Sequence, residues 1–405
     1  MRIAYVTPYQ GPTLLRRRPI VRNRSMSNRI KIELIATLLH NHGHDVELIS
    51  QGEVVEHRCT FYPAFSEPEL FHPRIPIDYA SALPIRRLNG LWSSLRTLQL
   101  LTARHRVAPY DIVIIFNLKD PQITCAHHAI RRLKLPVVLE YEDDRFVNVG
   151  GARIRGLMPR YRHGSCLRLF QRLSGCVAVS PHLLSQVPAH MPKLLLRGVV
   201  GDDIRTASEA PSRKRDWVLF SGTHVRSNGV AELIEAWRIA ALRDWELHIT
   251  GYGEMTDQLR AAAAAVPGVV FHGLVSRPEL VELMTAAKIC INPHAVSQSP
   301  GNVFAFKIIE YLAAGAHCIT TPMGTLEPSL EAGITYMPDN SPETIATTLQ
   351  QVIASARYHD GAARATLATY GPEAVSSSLD NFLKQVMKEA AKAGAPSYSD
   401  VRFSS

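Results

Sequence analysis

The sequence predicts an α/β protein with two parallel-sheet halves, each sheet covered by helices on both faces. Three observations predict it. Short, nearly continuous apolar runs alternate with helix-length stretches through most of the 405 residues, the pattern of strands buried on both faces. The alternation breaks at 201–216 and then restarts. Several strand-like runs end in glycine turns, and ligands of open parallel sheets bind beyond the carboxyl ends of the strands.

In the first half, strand 3–7 leads to an amphipathic helix at 25–42 that stops at Gly43, followed by strand 46–50. Residues 53–84 are rich in Pro, Phe and Tyr and show no clear period. Helix 88–104, strand 111–117, helix 122–133 and strand 137–141 come next. An Arg/Gly-rich loop, helix 165–173 and strand 176–179 complete this domain, taken as 1–200. The small polar residues of 201–216 read as a linker. The second domain, 217–372, begins with strand 217–221, helix 230–242, strand 245–250 and helix 255–265. Strand 269–272, helix 278–287, strand 289–292, helix 303–314 and strand 317–321 follow, then a helix at about 342–356. A last helix spans about 373–391, and 392–405 reads as a loose tail.

Charge is unevenly placed. Residues 1–205 hold 29 Lys+Arg against 16 Asp+Glu, whereas 206–405 hold 16 against 20. Arginines cluster at 16–18, 22, 24 and 29, and again between 153 and 172. Such patches attract phosphates or anionic membrane surfaces. Nucleic acid is not expected, because no recognition motif is present and few aromatics lie among the arginines. The six cysteines are scattered without metal-type spacing, so neither a zinc site nor a disulfide framework is expected. No apolar run reaches the ~18–20 residues that span a bilayer. The opening MRIAYVTP is strand-like without a signal-peptide layout, which predicts a cytoplasmic protein able to meet a membrane peripherally.

The most informative stretch is SPGNVFAFKIIEYLAAGAHCITT, 299–321. A Pro-Gly turn enters an apolar helix that Asn302 can cap, leaving amides free at its start for a diphosphate. Glu310 follows on the second turn, where its carboxylate can accept hydrogen bonds from paired sugar hydroxyls. One element would then hold both ends of a nucleotide-sugar.

The runs FSGTHVRSNGVAELIEAW (220–237), ITGYGE (249–254), VVFHGLVSRPELVELMTAAKICINP (269–293) and 302–315 stand in an order that resembles the retaining GT-B glycosyltransferases of family 4 (group 1) type. The likeness is clear over 217–325 and weaker earlier, through MRIAYVTP, NHGHDVELIS and PVVLEYED. It implies two Rossmann-like doubly wound domains with an interdomain cleft. The first would hold the acceptor, with helix 373–391 packing back on it, and the second a nucleotide-diphosphate-sugar donor. It also implies no metal and no other cofactor.

Residue by residue, the resemblance implies that Glu310 meets the donor ribose and that Val303, Phe304 and Phe306 line the diphosphate turn. Gly222 lies beside the phosphates, Gly251 and Gly253 pass close to the nucleotide, and Val275 and Leu280 face the base. The family's phosphate-clamping Arg and Lys fall at Thr223 and Asn228, and the first of its paired glutamates at Asn302. Arg226 and Lys307 are the nearby cations able to substitute. Glu142 and Asp143 stand where the family has a loop histidine and are candidates to orient donor or acceptor. Gly11 and Arg16, Arg17 and Arg18 occupy the loop expected to meet a phosphate-bearing acceptor or the membrane. His42 and His44 read as structural.

The expected activity is transfer of a hexose-type sugar, with retention, to a glycan or lipid-diphosphate-linked acceptor in cell-surface polysaccharide synthesis. Loss of the usual clamp leaves open a catalytically inactive subunit that binds a partner or glycan. A sugar-nucleotide epimerase on the same fold is the other alternative.

Overall fold

A computed structural model describes residues 1–18, 26–54, 59–68, 72–85, 88–142, 157–209, 214–296, 304–323, 326–355 and 361–392. The chain divides into two compact units, Met1–Arg197 together with the residues from Val375 onward, and Gly198–Ala374.

The first unit opens with β1 (Arg2–Thr7), α1 (Pro12–Arg17), α2 (Met26–Asn41) and β2 (Asp45–Ser50). Next come β3 (Phe65–Pro68), β4 (Pro76–Tyr79), α3 (Asn89–Val107), β5 (Ile112–Phe116) and α4 (Asp120–His128). It continues with β6 (Val137–Tyr141), α5 (Leu157–Phe170), β7 (Gly175–Ala178), α6 (Pro181–Ser185) and β8 (Lys193–Leu195). The sheet order is β3-β4-β2-β1-β5-β6-β7-β8, parallel except for β3 against β4. That antiparallel edge comes from the segment without a clear period. Its strands are only four residues each, too short to print a repeat.

The second unit starts with α7 (Asp202–Glu209), β9 (Arg215–Ser221), α8 (Val230–Ala240), β10 (Glu246–Thr250) and α9 (Thr256–Ala264). There follow β11 (Val269–Gly273), α10 (Arg277–Ala286), β12 (Ala287–Asn292), α11 (Lys307–Ala313) and β13 (His317–Thr320). It closes with α12 (Pro328–Glu331), β14 (Ile334–Tyr336), α13 (Pro342–Ser355) and α14 (Gly361–Tyr370). Its sheet is wholly parallel, ordered β11-β10-β9-β12-β13-β14. Val218, Phe220, Ile249, Ile289 and Ile319 project from the strands into one core with Leu233 and Trp237 of α8 and Leu349 of α13.

Two expectations are corrected here. Residues 201–216 are not a plain linker, because α7 forms within them. Asp202 and Asp203 favour its first turn through the helix dipole, and Ile204 anchors it by complete burial. The expected helix 303–314 is shorter, beginning at Lys307 with Phe306 at its N-cap, while Phe304 and Ala305 are not helical. Glu310 therefore sits in the first turn, and the cap expected of Asn302 falls outside the described residues.

The last helix, α15 (Pro372–Lys392), enters the first unit. There Phe382 and Val386 lie so close to Gly175 that a methyl group at that glycine would collide with both. Asp380, on the same helix, pairs with His42 and His44 at 3.3 Å each.

Candidate functional site

The order of the second sheet locates the site. From β9 the chain moves outward through β10 and β11, then returns to lay β12 on the other side of β9. The carboxyl ends of β9 and β12 therefore flank the point where winding reverses, the ligand crevice of doubly wound sheets. Gly222 follows β9 there, and α11 follows β12.

Lys307, the first residue of α11, brings its ammonium to this point. A side chain at Gly222 would begin 2.9 Å from Lys307 Nζ, and Nζ lies 4.5 Å from the centroid of the Phe220 ring. The ring face attracts the cation, yet Nζ is buried with no hydrogen-bond partner among the described residues. Burial lowers its pKa to about 8. A buried ammonium that lacks an acceptor is poorly solvated, and an anion would relieve that cost.

Three residues along α11, and therefore on the same side of the helix, Glu310 is buried to 7 % exposure. Burial raises its pKa, opposed by Arg277. Arg277 Nη1 is 2.8 Å from Glu310 Oε1, close enough for a charge pair but poorly aligned as a hydrogen bond. The same guanidinium donates from Nε to Asp203 Oδ2 at 2.6 Å. Burial would lower the Arg277 pKa, but Glu310 and Asp203 together hold its proton and raise it. Glu310 is thus already paired, where the sequence reading had it free to meet a ligand.

Sequence reasoning missed Arg277 and Asp203. Ser276 and Glu279 form a capping box that starts α10 and places Arg277 at its first position. A cation there opposes the helix dipole. That unfavourable placement was the legible signal that an acid from elsewhere must meet it.

The glycine turns have a local cause. At Gly251, with φ 138°, a Cβ would run into the carbonyl oxygen of Gly222. At Gly253 it would meet the backbone of His224. Both glycines thus allow the β10 turn to lie directly on the β9 turn. Asn228 donates to the Thr223 carbonyl at 2.6 Å, tying its own loop, and Thr223 and Arg226 are exposed. Val275 precedes the α10 cap and Leu280 lies on α10, both half-buried. Phe304 is buried. Phe306 lies flush against Gly198, where any Cβ would strike its ring.

In the first unit, the reading of Arg18 is corrected. Arg18 is 1 % exposed and donates to the carbonyls of Gly52, Pro63 and Ala80, the last at 2.9 Å. Burial lowers its pKa to about 10. Arg17 pairs with Glu67 and covers the Phe65 ring at 4.5 Å, while Arg16 reaches Thr13. Arg18 thus braces the strands around it, whereas Arg16 and Arg17, on α1, which Gly11 caps, stay exposed.

Glu142 is ion-paired with Lys31, and its backbone N donates to Asn117 Oδ1 at 2.9 Å. Next to it Glu140, wholly buried, accepts from Tyr5 and lies 3.6 Å from Lys31. Burial pushes the Glu140 pKa up to about 7 against the pull of Lys31. Asp143, Asn302 and Val303 lie outside the described residues.

Two Rossmann-like doubly wound units in one chain, with a glycine turn and an ionic α11 at the switch point of the second, define the GT-B class. Residues 215–355, from β9 through α13, match the family described as glycosyl transferases group 1, so the likeness drawn from the motifs holds over that span. No curated protein sequence matches the chain. Among solved structures, sucrose-phosphate synthase from Thermosynechococcus elongatus is similar with a TM-score of 0.68 at 14 % identity, over 96 % of this chain and 100 % of that one. HepE of Anabaena in complex with UDP gives 0.64 at 13 %, over 95 % and 100 %. UDP-GlcNAc 2-epimerase from Neisseria meningitidis bound to UDP-GlcNAc gives 0.57 at 12 %, over 95 % and 100 %.

Proposed function

We propose that the protein is a retaining glycosyltransferase that moves a hexose-type sugar from a nucleotide-diphosphate-sugar to a glycan or lipid-linked acceptor in cell-surface polysaccharide synthesis. The observation that carries this reading is the Lys307 ammonium, buried beside Gly222 at the switch point without an acceptor among the described residues. It is a ready partner for the donor diphosphate and replaces the clamp missing at Thr223 and Asn228, with Arg226 entering from the exposed loop. Glu310, one helical turn on, receives the ribose hydroxyls. Gly251 and Gly253 keep the backbone low beneath the nucleotide, and Val275 and Leu280 meet its base. Asn302, Val303, Phe304 and Phe306 complete the diphosphate turn, and Glu142 and Asp143 orient the acceptor.

The acceptor hydroxyl attacks the anomeric carbon as the bond to the β-phosphate oxygen breaks. Its proton passes to that leaving oxygen, so no protein base is required. The protein contributes position and charge stabilisation. The HepE structure with UDP and that of the epimerase bound to UDP-GlcNAc support a nucleotide-sugar as the ligand of this fold.

The test is a thermal-shift panel of UDP-, GDP- and ADP-sugars, followed by product analysis without acceptor. One donor raises Tm and is slowly hydrolysed to nucleotide, and both effects are lost in Glu310→Gln. Conversion to an epimer would assign the epimerase chemistry instead. No shift with any nucleotide-sugar would leave the non-catalytic reading.

A further inference from the structure

Helix α3 presents three leucines near its amino end to solvent, while Ser94 and Thr97 face the core. Leu88 at its N-cap, Leu91 and Leu95 are 51 %, 62 % and 58 % exposed. At 3.6 residues per turn they fall within about 60° of one another on the outer face. Phe61, 56 % exposed, extends the patch by meeting the Trp92 ring edge-on at 6.2 Å. The inner face buries Ser94, Thr97 and His105 beside Leu101. Ser94 and Thr97 satisfy their hydroxyls on the carbonyls of Gly90 and Ser93 at 2.8 Å each. An ordinary surface helix has the opposite polarity, and a contiguous exposed apolar patch marks a docking surface.

The charge around the patch selects what docks. The sequence of α3 contains Arg96, Arg104 and Arg106 and no acid. Arg104 is neutralised by Asp78 and Glu47. Arg96 lies over the Trp92 ring at 4.3 Å, and Arg106 is exposed one turn beyond Ala103. No ion pair holds either arginine among the described residues. Glu53 and Asp120 stand beside the amino end of α3, near Gly90 and Ser93, but α3 itself offers the arginines of a second copy no acid, which disfavours self-association through this helix.

We propose that the outer face of α3 lies flat on an anionic lipid bilayer. Leu88, Leu91, Leu95 and Phe61 enter the acyl boundary, while Arg96 and Arg106 meet headgroup phosphates. This moves the membrane contact away from the arginine run at 16–18, and it stands independently of the sugar chemistry proposed above.

The full chain is co-sedimented with vesicles of phosphatidylcholine, with and without phosphatidylglycerol, at low and high salt. Wild type partitions onto the anionic vesicles and is released by salt. Leu91→Ser/Leu95→Ser lowers partitioning roughly tenfold or more, with circular dichroism and Tm unchanged. Arg96→Glu/Arg106→Glu loses the preference for anionic lipid. The proposal is overturned if wild type stays in the supernatant with both vesicles, or if the serine variant binds as wild type does. It is equally overturned if sedimentation equilibrium shows a dimer that the serine variant dissociates.

Discussion

Arg277 holds Glu310 at 2.8 Å while its Nε grips Asp203 at 2.6 Å, so one guanidinium joins α7, α10 and α11. Removing one partner of a buried pair leaves the other charge uncompensated. Arg277→Met is therefore expected to destabilise the protein by about 3 kcal/mol. Most of that loss should return in the double variant Arg277→Met/Glu310→Gln, whose carboxamide needs no counter-charge. Urea denaturation of wild type, Arg277→Met, Glu310→Gln and the double variant measures the coupling, and simple additivity would contradict it.

Lys307→Met should separate stability from binding. Burial depresses the lysine pKa to about 8 in the folded protein, well below its unfolded value of ~10.4. Between those values the unfolded chain binds more protons, so this group adds stability as pH rises from about 8 to about 10. Below about pH 8 the buried charge is a cost. The methionine variant should thus melt higher than wild type at pH 7, and the gap should close towards pH 10. Donor affinity should fall about tenfold or more as a charge-assisted contact is lost. Calorimetric titration with the nucleotide-sugar found in the panel checks the second arm.

Arg18 should matter and its neighbours should not. Arg18→Met orphans three carbonyl acceptors, two of them in buried surroundings, and is expected to cost about 2–4 kcal/mol. Arg16→Ala and Arg17→Ala, at exposed positions, should each stay within about 1 kcal/mol of wild type. Chemical denaturation of the three variants settles the contrast. Equal losses would mean that the run acts as one charged patch.

Glu140 gives the first unit a pH signature of its own. Its folded pKa is raised to about 7, so the native state binds more protons than the unfolded chain between ~4.3 and about 7. The stability this confers is present at low pH and lost as pH rises through about 7. Tyr5, Lys31 and Glu142 are the ionisable groups named around it. Wild type minus Glu140→Gln should show a Tm difference that is more favourable to wild type at pH 5 than at pH 8. A pH-independent difference, measured by differential scanning fluorimetry, would refute the shift.

The strands at 217–221, 289–292 and 317–321 were legible because a central parallel strand must be apolar on both faces. That requirement shows in a single sequence. Arg18 was misread for a complementary reason. Composition reports charge, but whether a guanidinium meets solvent or three carbonyls depends on chain segments 34 to 62 residues away. Arg277 escaped notice because its partners, Asp203 and Glu310, are remote in sequence and meet only when three helices assemble. The early end of α11 was unreadable too, since Phe304 and Ala305 suit a helix as well as an extended turn.

The seating of Gly251 on the Gly222 carbonyl has a further result. A single methyl group at position 251 would strike the Gly222 carbonyl, on the residue that faces the lysine ammonium, because the two turns leave no slack between them. Alanine there should weaken nucleotide-sugar binding as severely as removing the cation, although it adds no charge.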